Sequence, residues 1–197
     1  VFDEELEMFD AEQFVADCRT ALKADRGGGR AMREVVGRAV SDPTGLMRTL
    51  GEPQRAGLNV LHHAPDLTIL NLVWGPRMTV MPHNHRMAAV IGIYTGQEDN
   101  TFWRRVGAEE NGVGRIEAAG TKELSARDCA ILGKDIIHSV TNPIPRLTGA
   151  IHVYWGGDFF EIDKSEWDPE TLRERPYDKE KVARLFEESN AALVAAR

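Results

Sequence analysis

The chain has 197 residues, 42% of them hydrophobic and 28% charged, an ordinary globular balance that can bury a core without disulfides. Its formal net charge of -7 argues against nucleic acid or an anionic membrane as partner, because both reward a basic face. An anionic small molecule is not excluded, since a few cationic side chains can dominate a pocket.

The acidic start, Val1-Phe2-Asp3-Glu4-Glu5, has no signal-peptide layout. No apolar run approaches the ~20 residues of a membrane span. Cys18 and Cys129 are unclustered and read as small buried hydrophobes, not as a disulfide or zinc pattern. A cytoplasmic location is expected.

Residues 1–50 read as helix. Asp10 is the expected N-cap, with Gln13 placed to complete a capping box. Phe14, Cys18 and Leu22 follow at helical spacing, and Gly27-Gly28-Gly29 ends the helix. A second stripe, Met32, Val35, Val36, Ala39 and Val40, is ended by Asp42-Pro43.

From Leu58 the texture changes to short aliphatic and β-branched runs at 67–74, 78–81, 88–94, 101–106, 129–132, 136–140 and 147–155. Turn signals such as Thr95-Gly96 and Asn111-Gly112 separate them. This spacing predicts a mainly β sandwich or barrel. Residues 179–196 return to helix, with Val182, Leu185, Phe186 and Leu193 as the buried face. One domain is expected: a helical flank at 1–57, a β core at 58–160 and an extension with a helix at 161–197.

Of six histidines, His83-Asn84-His85 form the sharpest feature. Residues two apart on a strand share a face, so both imidazoles can reach one metal on the concave side of a barrel. Parity leaves the identity of that face open, because Met78 and Val80 on the opposite side are at least as apolar as Thr79 and Met81. His138, after the turn Gly133-Lys134-Asp135, can close the site from across the barrel. By itself the H-x-H pattern also fits two partly exposed strand histidines.

Together these segments resemble the two cupin motifs, and more closely the cysteine dioxygenase family of thiol dioxygenases. The resemblance covers 71 to 154. It rests on Trp74-Gly75 ahead of His83 and His85, on Gly96, on His138 followed by Val140 and Asn142, and on His152-Val153-Tyr154. It implies a cupin double-stranded β-helix (jelly-roll) barrel. It also implies Fe(II) on His83, His85 and His138, dioxygen as co-substrate, oxidation of a small thiol to a sulfinate, and His152 and Tyr154 as catalytic residues.

Several departures from that family matter. Where many cupins place a fourth, glutamate ligand, this chain has Ala89 and Val90, so three histidines remain. No cysteine stands where animal cysteine dioxygenases crosslink their tyrosine. Ala150 replaces the family serine, which reduces the Ser-His-Tyr relay to His152 and Tyr154. The early-strand arginine that pairs with the cysteine carboxylate has no counterpart at 58–65, so cysteine is not the expected substrate.

Three neutral imidazoles cap one face of an octahedral ion and leave three positions open. Without the carboxylate of the commoner facial triad the site is one charge more positive, which favours a thiolate ligand. Thiolate and dioxygen then react as oriented neighbours. Zinc also suits three histidines; iron follows from the resemblance.

Tyr154 and His152 share strand parity, so the phenol can donate to reactants while His152 directs it. The alternative is a buried pair that satisfies its own polar groups. Arg77 shares the parity of His83 and His85 and is a candidate for a substrate carboxylate, or for a partner such as Asp66 or Glu161. His62 is a second candidate at the pocket wall. Two other functions compete: a three-histidine cupin oxygenase cleaving a carbon–carbon bond in a β-diketone-like substrate, and a metal- or ligand-binding cupin without turnover.

Overall fold

The computed structural model describes residues 9–24, 29–110 and 113–195. The acidic start, Gly27-Gly28 and the Asn111-Gly112 turn lie outside them.

Asp10 caps α1 (Ala11–Ala24) as expected: its Oδ1 accepts from the N–H groups of Glu12 and Gln13 at 2.9 and 3.0 Å. Gln13 does not close a capping box. Its amide donates one turn onward to Asp17, at 2.8 Å. Asp42-Pro43 ends α2 (Arg30–Ser41) and also starts α3 (Pro43–Leu50). Asp42 Oδ1 accepts from Gly45 N–H, and proline at the first helical position gives up no hydrogen bond.

Among the described residues eleven strands follow: β1 (Gly57–Ala64), β2 (Leu67–Trp74), β3 (Thr79–Asn84), β4 (Ala88–Thr95), β5 (Gln97–Glu110), β6 (Val113–Ser125), β7 (Cys129–Leu132), β8 (Ile137–Thr141), β9 (Thr148–Trp155), β10 (Ser165–Trp167) and β11 (Glu174–Pro176), then α4 (Lys179–Ala195). One sheet has the order β1-β2-β9-β4-β7 and the other β11-β10-β3-β8-β5-β6. The antiparallel pairs are nested, β2 with β9, β3 with β8, β4 with β7 and β5 with β6. That nesting is the double-stranded β-helix, or jelly roll, of the cupin fold. The protein is mainly β, with helices at both flanks.

β2 and β9 are buried at every position because both faces of their sheet are covered. Leu67, Ile69, Ile151, Val153 and Trp155 face the helical layer of α1 to α3. Leu70, Ala150 and Tyr154 face the barrel interior. Two covered faces leave no alternation of apolar and polar residues, so parity could not identify the inside. α2 lies so close to β4 that a Cβ at Gly92 would sit 2.6 Å from Val36 Cγ1 and 2.8 Å from Val40 Cγ1.

β5 begins four residues before the expected run at 101–106, and β6 has no counterpart in the apolar pattern. Its sequence carries two each of Gly, Ala and Glu, poor strand formers, and its shape comes from its long ladder with β5. β10 and β11 are also unannounced by periodicity, being only three residues each. α4 packs Val182, Leu185 and Phe186 against the end of the barrel, while none of its residues is fully buried.

Candidate metal centre

His83 lies near the end of β3, paired with His138 of β8. His85 is one residue past the strand, not on it. The β3–β8 register shifts between Val80 and His83, and Arg86 takes a left-handed φ of 52°. The irregular backbone, not simple strand parity, aims the second imidazole. The three rings still converge: Nε2 of His85 is 3.2 Å from Nε2 of His83 and 3.3 Å from Nε2 of His138.

The surroundings fix which nitrogen faces inward. His83 Nδ1 is 2.9 Å from the carbonyl oxygen of Met81, which only accepts, so Nδ1 carries the hydrogen. His138 Nδ1 is 2.7 Å from Asn100 Oδ1, and the Asn100 amide is oriented by donating to Glu98 at 2.9 Å. Both Nε2 atoms therefore present lone pairs to the centre. Burial holds the His83 imidazole at about 4, and burial with neighbouring histidines holds those of His85 and His138 well below their ordinary range. Neutral imidazoles with fixed tautomers are the form that binds a metal. Ligand bonds of about 2.0–2.1 Å place adjacent donors roughly 3 Å apart, matching these separations. Among the described residues His83, His85 and His138 form the one group able to hold a metal ion. The positions without a fourth ligand, Ala89 and Val90, are fully buried and apolar.

A second polar chain runs beside the cluster. Tyr154 Oη is 2.9 Å from His152 Nδ1, and the Tyr154 ring meets His85 edge-on with centroids 4.9 Å apart. His152 Nε2 lies 3.5 Å from Glu98 Oε2, longer than a good hydrogen bond. Glu98 is fully buried on β5 and accepts from the Trp74 indole at 2.6 Å and from Asn100. Glu98 thus supplies a third member to the His152–Tyr154 pair where Ala150 offers none, and Asn100 links it to His138. Burial pushes the Glu98 carboxyl up, but His152, Asn100 and Trp74 more than offset this and leave it below its usual range. The Tyr154 phenol is pushed well above its usual range by burial, Glu98 and Tyr177, so it stays protonated. A carboxylate has acceptors only, so His152 Nε2 carries hydrogen and Nδ1 accepts from the Tyr154 hydroxyl. Glu98 went unnoticed in the sequence because nothing in Gln97-Glu98-Asp99 marks one acid as buried; its place two residues after Gly96 was the available signal. Gly96 has φ of 84°, and its tight turn directs β5 back across the barrel.

A cavity of about 60 Å³ opens on these groups, lined by His83, His85 and Tyr154, by Leu70 and Leu72, and by Phe159, Lys164 and Tyr177 from the C-terminal segments. That is room for roughly four to six waters. Arg77 is not brought to it. It precedes β3 in a left-handed turn, φ 58°, is exposed, and donates to the Pro143 carbonyl; strand parity does not extend through that turn. Nor does His62 reach it. A bulge in β1 between Val60 and His62 leaves that ring half-buried beside Arg19, which is paired with Asp66. Cys18 and Cys129 belong to the helical side of the sheet, away from Tyr154, so no thioether can join them to it.

No family model and no curated protein matches the sequence. Solved structures similar in shape include oxalate decarboxylase from Bacillus subtilis, 18% identical with a TM-score of 0.40 over 52% of this chain and 24% of that one. Another reports the DMSP lyases RdDddP and RnDddQII, 13% identical, TM-score 0.38, covering 52% and 44%. A third is BH2720 from Bacillus halodurans, 11% identical, TM-score 0.46, covering 57% and 80%. The chain spans about a quarter of the oxalate decarboxylase it matches. Likeness at this level concerns the fold alone, which the nested strand pairing already establishes.

Proposed function

We propose that this protein is an iron(II)-dependent dioxygenase that oxidises a small thiol to a sulfinate. The observation that carries the proposal is the pairing of a carboxylate-free three-histidine cluster with a buried Glu98–His152–Tyr154 relay on one small cavity. The reaction is RSH + O2 → RSO2⁻ + H⁺: sulfur gains both oxygen atoms, loses four electrons to dioxygen, and no further reductant is needed. Iron held by the three Nε2 atoms would supply the redox chemistry that joins the thiolate to dioxygen.

The chain's own residues perform the rest. Met81 O and Asn100 Oδ1 hold His83 and His138 with their lone pairs inward. The apolar walls Leu70 and Leu72 keep the thiol's carbon chain out of water and limit its size. Tyr154 Oη can take the thiol proton as it passes its own to His152 Nδ1, and Glu98 faces the imidazolium that results. With Nδ1–H then donating to Tyr154, the phenol hydrogen is released toward the cavity, where it can donate to the reacting oxygen atoms.

Oxygen uptake with a panel of thiols, with product mass, tests the reading. A sulfinate, two oxygen atoms heavier than the thiol, is expected from wild type. Turnover of a β-diketone without thiol oxidation would refute it.

A further inference from the structure

The cavity has a cationic end that the relay does not use. Lys164 lines it together with Tyr177, and the two are neighbours, since Tyr177 N–H donates to the Lys164 carbonyl at 3.1 Å. The Lys164 ammonium donates to the Phe159 carbonyl at 2.6 Å and sits 3.4 Å over the Phe159 ring. Phe159 in turn packs on Tyr154, centroids 4.5 Å apart, so the cation stands two rings from His85. An ammonium has three donors, and one acceptor is found for it among the described residues. The Tyr177 hydroxyl has no hydrogen-bond partner among them, while its ring lies 5.7 Å from that of His83. Among the described residues no carboxylate lines the cavity.

On the reading of the site as a thiol dioxygenase, we propose that Lys164 and Tyr177 bind the anionic head of the substrate. They select a short thiol that ends in a carboxylate or sulfonate and carries no amine. The apolar walls suit its carbon chain. An α-ammonium would meet a lysine and find no acid, which disfavours cysteine and aminothiols alike. Burial and the nearby Lys179 bring the Lys164 ammonium down to about 8, against an opposing pull from Asp158. A bound anion would add to the compensation that Asp158 gives this cation.

The test is anaerobic calorimetry on the as-isolated protein with 3-mercaptopropionate, 2-mercaptoethanesulfonate and 2-aminoethanethiol, for wild type, Lys164→Met and Lys164→Arg. Methionine keeps the stem and removes the charge. Wild type should prefer the anionic thiols. Lys164→Met should shift the affinity ratio toward 2-aminoethanethiol by about tenfold or more, the scale of one charged hydrogen bond. Lys164→Arg should restore most of it, and Tyr177→Phe should give a smaller shift. Preference for one anion over the other distinguishes carboxylate from sulfonate. An unchanged ratio in a Lys164→Met protein of unaltered melting temperature would overturn the proposal, as would a wild-type preference for the amine. If the anionic thiols bind through Lys164 but consume no oxygen, the anchor stands and the dioxygenase reading falls.

Discussion

Glu98 accepts from the Trp74 indole at 2.6 Å and the Asn100 amide at 2.9 Å, and it faces His152 Nε2 at 3.5 Å. Glu98→Gln would turn an NH2 toward one of them in either orientation, so a loss of stability of about 1–3 kcal/mol is expected. It would also remove the charge opposite His152. Tyr154→Phe removes the last atom of the same relay. Both variants should keep the metal, and each should slow thiol oxidation, Tyr154→Phe by ~10²-fold. Because they act through one chain, the double variant should be little slower than Tyr154→Phe alone. Fully additive losses in oxygen-uptake rates would detach Glu98 from the relay. At this scale the sequence was legible where chemistry and spacing coincide: His83, His85, His138, His152 and Tyr154 all converge in the structure. Arg77 and His62 illustrate the opposite case: strand parity does not extend through the turn at Arg77, and the bulge beside His62 turns it away from the pocket wall. Lys164 and Tyr177 lie outside the stretch that resembles the family, and no motif marks them.

The elements that build the site are held by close packing on one side and buried charge on the other. α2 rests on β4 where Gly92 leaves no side chain. Gly92→Ala should therefore cost about 1–3 kcal/mol through overpacking, read as a lower unfolding midpoint with the metal ligands untouched. No loss would mean that the helical layer yields freely. On the far side, Glu166 of β10 is fully buried opposite His83. It accepts from Arg175 at 2.7 Å and from Asp178 N–H at 3.1 Å. That pairing ties the segment bearing Lys164, Tyr177 and α4 to the strand bearing His83. The long strands β2 and β9 were visible from composition alone, because strands covered on both faces are continuously apolar. β6, β10 and β11 were not, since a ladder with a neighbour shapes each of them more than its own residues do.

For the whole molecule, the buried neutral histidines couple stability to acidity. An unfolded chain takes up protons on these imidazoles below about 6.5, whereas folded His83 resists protonation until about 4, and burial with neighbouring histidines also holds His85 and His138 well below their ordinary range. The folded pKa values are depressed, so their stabilising contribution is present above pH 6.5 and is lost as pH falls through the window down to about 4. The metal-free protein should thus melt at a clearly lower temperature at pH 5 than at pH 7. A flat profile across that range would mean the rings are not held neutral. The jelly roll itself brings the histidines together, since β3 and β8 are neighbours only through the nested pairing of the barrel.

The most direct test of the account is metal content measured alongside thiol-dependent oxygen uptake, on wild type and on His83→Ala, His85→Ala and His138→Ala. Wild type should hold about one iron per chain and consume one dioxygen per sulfinate formed, and each variant should lose most of the iron and activity, because two imidazoles hold a labile divalent ion poorly. Wild-type protein loaded with iron that oxidises no thiol, or a variant that keeps full metal and activity, would contradict it.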